Sequence, residues 1–157
     1  MNYFKNTKSN GFTLLELMVT VGILAIIISI AVPNYRAYGL RTNRSEGISN
    51  LLQMTQWMER QFTTFGSYNA GAMPALPITQ SPAFGAANYN IAIAANGATT
   101  YTLTATPAGA QANDTCGTLT ISESSLQCAT LTGIGQLCSN DGNAANRTLV
   151  SNCFGGR

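Results

Sequence analysis

The fold is decided by the stretch Gly11-Phe12-Thr13-Leu14-Leu15-Glu16-Leu17-Met18-Val19, which opens an apolar run that continues to Val32. Residues 17–32 carry no charge, and an apolar run of about 20 residues is long enough to cross a bilayer. One carboxylate, Glu16, stands at the head of this run. Because a lone charge inside a membrane is costly, the sequence predicts a membrane helix whose carboxylate needs a partner.

The composition narrows the classes of function that this chain can have. Charged residues make up only 9% of the 157 residues, against about a quarter in an average domain. Both lysines, Lys5 and Lys8, precede Phe12, and from Phe12 onward six arginines balance six acids. A nucleic-acid surface needs a basic patch, so this balance argues against nucleic acid as a partner. The chain has no histidine and no nucleophile with a candidate base. We therefore expect no enzyme activity, no metal site and no cofactor.

The first eleven residues have the composition of a cytoplasmic leader. They are short, polar and basic, and positive charge favours the cytoplasmic side of a membrane. A secretory signal would follow its apolar region with a small-residue cleavage site, but here the run ends at Pro33-Asn34-Tyr35-Arg36. The residues beyond the run are therefore expected on the opposite side of the membrane from the leader, with residues 12–33 as the membrane half of a helix.

The pattern beyond Pro33 predicts an α+β domain. Spacings of three and four continue the helix to about residue 64. Its solvated side is predicted to be formed by Arg36, Arg41, Arg44, Glu59 and Arg60. Gly66 ends the helix, and residues 66–88 are predicted to be a loop. Alternating patterns predict antiparallel strands at 89–95, 99–106 and 117–122, with a hairpin turn at Asn96-Gly97. The expected apolar stripe of the helix is Ile48, Leu51, Leu52, Thr55, Met58, Phe62 and Phe65.

Four cysteines fall in the last 42 residues, in a tail from residue 123 that is predicted to be loop-like: Cys116, Cys128, Cys138 and Cys153. An even number of cysteines behind a membrane-directed N-terminus predicts disulfides in an oxidising compartment. Zinc is disfavoured because no C-x₂-C pair and no histidine are present. The spacing leaves all three pairings open.

The N-terminal features together resemble a type IV prepilin. A short basic leader precedes Gly11, the carboxylate Glu16 stands at the fifth position after it, and an apolar span follows in fixed register. The resemblance to type IVa pilins, and to their minor pilins in particular, extends along the chain in Pro33-Asn-Tyr-Arg-Ala-Tyr38, Arg41-Thr-Asn-Arg-Ser-Glu46, Gly66-Ser-Tyr68, Thr102-Leu-Thr-Ala-Thr-Pro107 and Asp114-Thr-Cys-Gly-Thr-Leu-Thr120. It implies the type IV pilin fold, in which a long N-terminal helix packs on a small antiparallel sheet and disulfides hold a C-terminal loop region.

The resemblance also implies roles for single residues. A prepilin peptidase would cut between Gly11 and Phe12, and Phe12 would be N-methylated. Glu16 would pair with the α-amino group of Phe12 in a neighbouring subunit, which would provide the partner for the membrane carboxylate. Pro33 would kink the helix or, with Gly22 in the same half, let it unwind locally during assembly. The alternative for Pro33 is that it only curves the helix. Arg41, Arg44 and Glu46 are interpreted as a solvated helix face rather than as subunit contacts.

The resemblance also bears on the disulfides. Minor pilins suggest that Cys116 pairs with Cys153, which leaves Cys128 for Cys138. The alternative is sequential, with Cys116–Cys128 and Cys138–Cys153, and its last bridge resembles the C-terminal loop of major pilins.

The expected function is structural. The domains would be a removed leader (1–11), the assembly half of the helix (12–33) and a periplasmic domain (34–157). The chain would cross the bacterial inner membrane once and then join a surface pilus, with other pilins, the prepilin peptidase and the inner-membrane assembly platform as partners. As a minor pilin it would be needed for pilus assembly or priming, and so for adhesion, twitching motility or DNA uptake. The alternatives are a DNA-binding minor pilin for natural transformation and a type II secretion pseudopilin.

Overall fold

The computed structural model describes residues 12–71 and 73–155. The leader, with Gly11 and both lysines, lies outside the described residues, as does Arg157. The chain forms two compact units that divide after Tyr38. The elements are α1 (Leu14–Phe65), β1 (Gln80–Ser81), β2 (Tyr89–Asn96), β3 (Tyr101–Pro107), a 3₁₀ turn (Gly109–Asn113), β4 (Leu119–Ser122), β5 (Gln127–Leu131), β6 (Gly135–Cys138) and α2 (Ala144–Cys153).

Helix α1 has 52 residues and agrees closely with the helix expected over 12–64. Thr13 caps its start, because the Thr13 hydroxyl accepts a hydrogen bond from the Glu16 amide at 3.2 Å. Gly66 ends it with a positive φ of 69°, and the Gly66 amide donates to the Phe62 carbonyl at 2.8 Å. Pro33 lies inside the helix.

The half of α1 that follows Tyr38 packs on the inner face of the sheet. Its buried residues are Gly47, Ile48, Leu51, Met54, Trp57 and Met58. A Cβ added at Gly47 would lie 2.9 Å from the Tyr89 ring, so glycine lets the helix approach β2 closely. The expected stripe was wrong at Leu52 and Phe65, which are 42% and 38% exposed. Leu52 is turned away from the sheet because it lies about 100° around the helix from the buried Leu51. Met54 and Trp57 are buried in the core as well.

The sheet has six antiparallel strands in the order β1-β2-β3-β4-β5-β6. The three strands that alternation predicts are present as β2, β3 and β4, within two residues of the expected bounds. In β3, Tyr101, Leu103 and Ala105 are buried while the residues between them are half-buried, as expected for a strand with one covered face. At the predicted hairpin, the Gly97 amide donates to the Thr100 carbonyl at 2.7 Å.

Two segments that were expected to be loops contain regular structure. A two-residue strand, β1, lies in 66–88, and the tail beyond residue 123 forms β5, β6 and α2. Asn143 caps α2, because its side-chain oxygen accepts from the Ala145 amide. Val150 of α2 is fully buried in the core cluster. The C-terminal region is therefore part of the sheet and core rather than a loop.

The disulfides join Cys116 to Cys153 and Cys128 to Cys138. This is the nested pairing rather than the sequential alternative. Cys128 and Cys138 lie directly opposite each other on β5 and β6, and Cys153 is the last residue of α2. From the closed loop lengths, the larger bridge stabilises the fold by about 4 kcal/mol and the smaller one by about 3 kcal/mol.

Candidate functional site: the exposed helix and the anchor of its buried half

Every residue from Phe12 to Tyr38 is solvent-exposed. The side chains of Phe12 and Leu14 are 80% and 78% exposed, and the aliphatic residues that follow are at least 43% exposed through Val32. Helix α1 is long and apolar enough to cross a membrane. A helix that is hydrophobic on all sides belongs in a bilayer or among other apolar helices.

Glu16 lies in the first turn of α1, three residues after the capping residue Thr13. The sequence Thr13-Leu14-Leu15-Glu16 therefore has the S/T-x-x-E spacing of a capping box. A carboxylate in the first turn also interacts favourably with the helix dipole, by about 0.3–1 kcal/mol on an exposed helix. Thr13 is not among the residues predicted from the sequence to have a role, although the T-x-x-E spacing of this cap is visible there.

The helix is weakened at Pro33. Proline has no amide hydrogen, so the Ser29 carbonyl lacks its usual donor four residues on. The Asn34 side chain donates to the Ile30 carbonyl at 3.1 Å, and the Ser29 hydroxyl donates to the Ile26 carbonyl at 2.7 Å. Gly22 has no neighbouring atom within 4 Å of where a Cβ would lie, so no packing contact requires glycine there.

In the second unit, a buried ion pair anchors α1 to the segment before β4. Arg44 Nη1 lies 3.3 Å from Asp114 Oδ1, and these side chains are only 12% and 4% exposed. The Arg44 guanidinium also contacts the Cys116 sulfur. The expectation that Arg44 belongs to a solvated face was wrong, whereas Arg41 and Glu46 are exposed as expected.

Asp114 is further satisfied by neutral donors. The Tyr89 hydroxyl donates to Asp114 Oδ2 at 2.9 Å, and Gln111 Nε2 donates to the same oxygen at 3.1 Å. Gln111 Nε2 also lies 2.9 Å from the Leu40 carbonyl, and Asn43 donates to the Gln111 side-chain oxygen. Burial, and secondarily the Asp114 charge, raise the pKa of Tyr89 well above its usual value. This polar network ties the 3₁₀ turn to the helix.

A second polar contact lies at the far end of the buried helix half. The hydroxyls of Tyr68 and Tyr101 both donate to Glu59, at 2.9 and 3.1 Å. Burial, followed by the Glu59 hydrogen bond and charge, raises the pKa of Tyr68 to about 12. Glu59 was assigned to the solvated side, and it is exposed, but it also fixes two aromatic rings of the core.

The described residues contain no group of three or more side chains that could hold a metal ion. The Asp114 network and the Glu59 contact are each satisfied internally, so they stabilise the fold. Residues 12–38 of the chain are exposed, so this segment can contact another molecule.

A long N-terminal helix with an exposed apolar half, an antiparallel sheet and C-terminal disulfides together define the class of type IV pilins. Residues 6–32 match the model of the prokaryotic N-terminal methylation motif. Residues 33–120 match the family model described as "Type IV minor pilin ComP, DNA uptake sequence receptor". Because this model spans more than half of the chain, the chain belongs to this family of type IV minor pilins.

Individual relatives agree with this assignment. Among curated proteins, the chain is 44% identical over 46 residues to the type IV major pilin protein PilA of Myxococcus xanthus, covering 29% of this chain and 21% of PilA. It is 51% identical over 39 residues to the type IV major fimbrial protein FimA of Dichelobacter nodosus, covering 25% of this chain and 24% of FimA. The matched part of the chain thus spans only about a quarter or less of these relatives.

A solved structure is similar in fold. The non-core minor pilin PilV of Neisseria meningitidis aligns with a TM-score of 0.51 at 22% identity, covering 61% of this chain and 91% of PilV. The pilin fold expected from the sequence is therefore confirmed.

Proposed function

We propose that this chain is a minor subunit that enters a type IV pilus through the exposed helix 12–38 and is needed to assemble or prime the filament. One observation carries the proposal: every residue of this segment is exposed, and its residues 17–32 are uncharged and mostly aliphatic. Such a surface is stable in a bilayer or packed against similar helices. The subunit would support adhesion, twitching motility or DNA uptake through the filament.

Processing would precede assembly. A prepilin peptidase would cut between Gly11 and Phe12, and the new Phe12 amine would be methylated. The match to the methylation motif supports this step. The start of α1 at Leu14 also supports cleavage before Phe12. Phe12 and Thr13 follow the cut and precede the helix, so they can enter the peptidase active site in extended form.

Before assembly the subunit would cross the inner membrane once. Lys5 and Lys8 would hold the leader in the cytoplasm. The second unit, Gly39–Arg157, would lie in the periplasm, where its two disulfides could form and persist. The inner-membrane assembly platform would then take up the subunit.

Glu16 would select the register of the assembled helices. An unpaired acidic residue costs about 2.5–3.5 kcal/mol at the centre of a membrane helix, and the helix dipole offsets part of the cost at the first turn, where Glu16 lies. The positive α-amino group of Phe12 in a neighbouring subunit would supply that partner. Breaking a buried pair leaves an unpaired charge, so assembly would favour the one register in which the pair forms. Pro33 and Gly22 would let the helix between them adjust to its neighbours.

A matched pair of variants tests this role of Glu16. In Glu16→Gln the side chain keeps its shape but loses its charge, whereas Thr20→Val changes another polar residue of the same span. We expect the ratio of pilus-bound to membrane-bound subunit to fall roughly tenfold or more in Glu16→Gln, since about 1.4 kcal/mol corresponds to tenfold, and to stay near wild type in Thr20→Val. Quantitative mass spectrometry of sheared pili and membranes measures the ratio and also identifies the methylated Phe12. Normal incorporation of Glu16→Gln would refute the pairing.

DNA binding is a second candidate, favoured by the description of the matched family model as a DNA uptake sequence receptor. The charge of this chain argues against it. In the second unit the described arginines are Arg41, Arg44, Arg60 and Arg147, and Arg44 is neutralised by Asp114. Binding through phosphates gives a salt dependence with a slope of about −0.9 for each phosphate neutralised. We expect purified pili to shift duplex DNA weakly, with a slope shallower than about −3. A steeper slope, or strong sequence preference, would favour the receptor role.

A further inference from the structure

The start of helix α1 is set by one side chain. Phe12 and Thr13 precede the helix, which begins at Leu14. The Thr13 hydroxyl accepts a hydrogen bond from the Glu16 amide at 3.2 Å, and the Thr13 carbonyl accepts a backbone bond from the Leu17 amide at 3.2 Å. Both contacts are those of an N-cap residue, whose side chain satisfies an amide that has no partner within the helix.

The sequence before Thr13 offers a second place for a helix to start. Asn10 is also a residue type that caps helices well. A helix that began after Asn10 would add residues 11–13, with one more backbone hydrogen bond for each residue gained. The two starts compete, because the Glu16 amide can form a good hydrogen bond either to the Thr13 hydroxyl or to the Phe12 carbonyl four residues back. In the structure this amide donates to the Thr13 hydroxyl.

The earlier start would involve the peptide bond that the proposed processing cleaves. In that helix the Leu15 amide would donate to the Gly11 carbonyl. Hydrolysis breaks the bond between the Gly11 carbonyl carbon and the Phe12 nitrogen: the carbon gains the oxygen of a water molecule, and the nitrogen takes a proton and leaves as an amine. A carbonyl that already accepts a bond inside a helix has less capacity to accept the hydrogen bonds that stabilise the charge developing on its oxygen. The earlier start would therefore slow cleavage.

We propose that Thr13 is a positioning residue for leader cleavage, because its hydroxyl fixes the start of α1 and so keeps the bond between Gly11 and Phe12 outside the helix. Glycine at position 11 acts in the same direction, since glycine loses more conformational freedom in a helix than other residues. Thr13 takes no part in the hydrolysis itself and acts through the conformation of the bond before it. The inference rests on the proposed processing and identifies a determinant of the cleavage site that lies after the cut.

A series of substitutions at position 13 tests this role. The full precursor is purified in mild detergent and incubated with purified prepilin peptidase, and mass spectrometry follows the loss of residues 1–11. Thr13→Val keeps the shape of the side chain but removes the hydroxyl, so kcat/KM should fall about fivefold, which is the equilibrium factor of one lost cap. Thr13→Ser and Thr13→Asn should be cleaved at least as fast as the wild type, because serine and asparagine cap helices at least as well as threonine.

Thr20→Val is the matched control. It removes another hydroxyl of the same helix, one that donates to the Leu17 carbonyl at 2.8 Å, and it should leave kcat/KM unchanged. The Cα chemical shifts of residues 12 and 13, measured by NMR in detergent micelles, report where the helix starts. These shifts should move toward helical values in Thr13→Val and stay at wild-type values in Thr20→Val.

The outcomes separate this inference from the proposed function. A wild-type precursor that the peptidase leaves intact refutes the proposed processing, and the inference with it. Normal cleavage of both the wild type and Thr13→Val overturns the positioning role alone. Equally slow cleavage of Thr13→Val and Thr13→Asn would mean that the peptidase recognises the threonine side chain itself, which also overturns the role of the cap.

Discussion

Replacement of Arg44 by methionine should destabilise the fold strongly, because it leaves Asp114 buried without its ion pair. Arg44 Nη1 lies 3.3 Å from Asp114 Oδ1, and the Asp114 side chain is 4% exposed. Breaking a buried pair typically costs about 3–5 kcal/mol. The hydrogen bonds from Tyr89 and Gln111 to Asp114 persist, so we expect the lower end, about 3 kcal/mol.

The loss can be measured by urea unfolding of the full chain in mild detergent. The single tryptophan, Trp57, is 8% exposed in the core and reports unfolding of the second unit by its fluorescence. With a slope of about 1–3 kcal/mol/M, the urea midpoint should fall by about 1–3 M. Arg41→Met is the matched control. It makes the same change one helical turn earlier at an exposed residue, and it should shift the free energy of unfolding by less than about 0.5 kcal/mol.

A double-mutant cycle with Asp114→Asn isolates the interaction. Asparagine keeps an acceptor for Tyr89 but carries no charge, so the double variant no longer contains a buried unpaired carboxylate. The loss in the double variant should be smaller than the sum of the two single losses by about 1–3 kcal/mol. Additive losses, or an Arg44→Met variant as stable as Arg41→Met, would contradict the assignment of the pair as the anchor of the helix.

Three further predictions follow from the packing and the charges. Gly47→Ala should destabilise by about 1–3 kcal/mol in the same urea assay, because the added methyl group meets the Tyr89 ring, whereas Gly39→Ala, with nothing within 4 Å, should be neutral or slightly stabilising. Stability should fall at alkaline pH: the pKa of Tyr68 is raised from 10.0 to about 12 on folding, so its contribution is intact below pH 10 and is lost as the pH rises through 12. Tyr68→Phe should flatten that decline in a pH series, and an unchanged decline would exclude Tyr68 as its source. Replacing Cys116 and Cys153 together by alanine should lower the free energy of unfolding by about 4 kcal/mol. A loss below about 1 kcal/mol would mean that the unfolded chain is restricted even without this bridge.

The hydrophobic patterns of the sequence predicted α1 and the three central strands, because apolar residues recur with the period of a helix in α1 and with the period of a strand in β2, β3 and β4. Helix α1 buries residues at spacings of three and four, and β3 alternates along its length. The end of α1 at Gly66 and the hairpin turn at Asn96-Gly97 could also be predicted, because each contains turn residues that are recognisable in the sequence. The apolar segment over residues 17–32 could be identified without any tertiary information.

The C-terminal elements were missed because their sequence is dominated by turn residues. Gly133 and Gly135 both have positive φ around the β5–β6 hairpin, and Ser125 has a φ of 60° in the preceding turn. These residues mark tight connections between short strands, but in the sequence they are indistinguishable from a loop. The start of α2 could have been predicted, because Asn143, which follows Asp141, is a typical capping residue before Ala144 and Ala145.

The role of Arg44 could not be read from the sequence. Its partner Asp114 is 70 residues away along the chain, and on the helix Arg44 stands among exposed residues such as Arg41 and Glu46. Only the path of the chain through the 3₁₀ turn brings Asp114, Gln111 and Arg44 together.

The nested disulfides affect how the second unit would withstand cleavage by proteases. The Cys128–Cys138 ring lies entirely inside the Cys116–Cys153 ring. A single peptide-bond cut at the hairpin tip near Ile134 would leave the two fragments joined by two covalent bonds. A cut between Cys116 and Cys128, or between Cys138 and Cys153, would leave them joined by one. A nicked subunit would therefore keep its C-terminal helix attached and separate into fragments only after reduction.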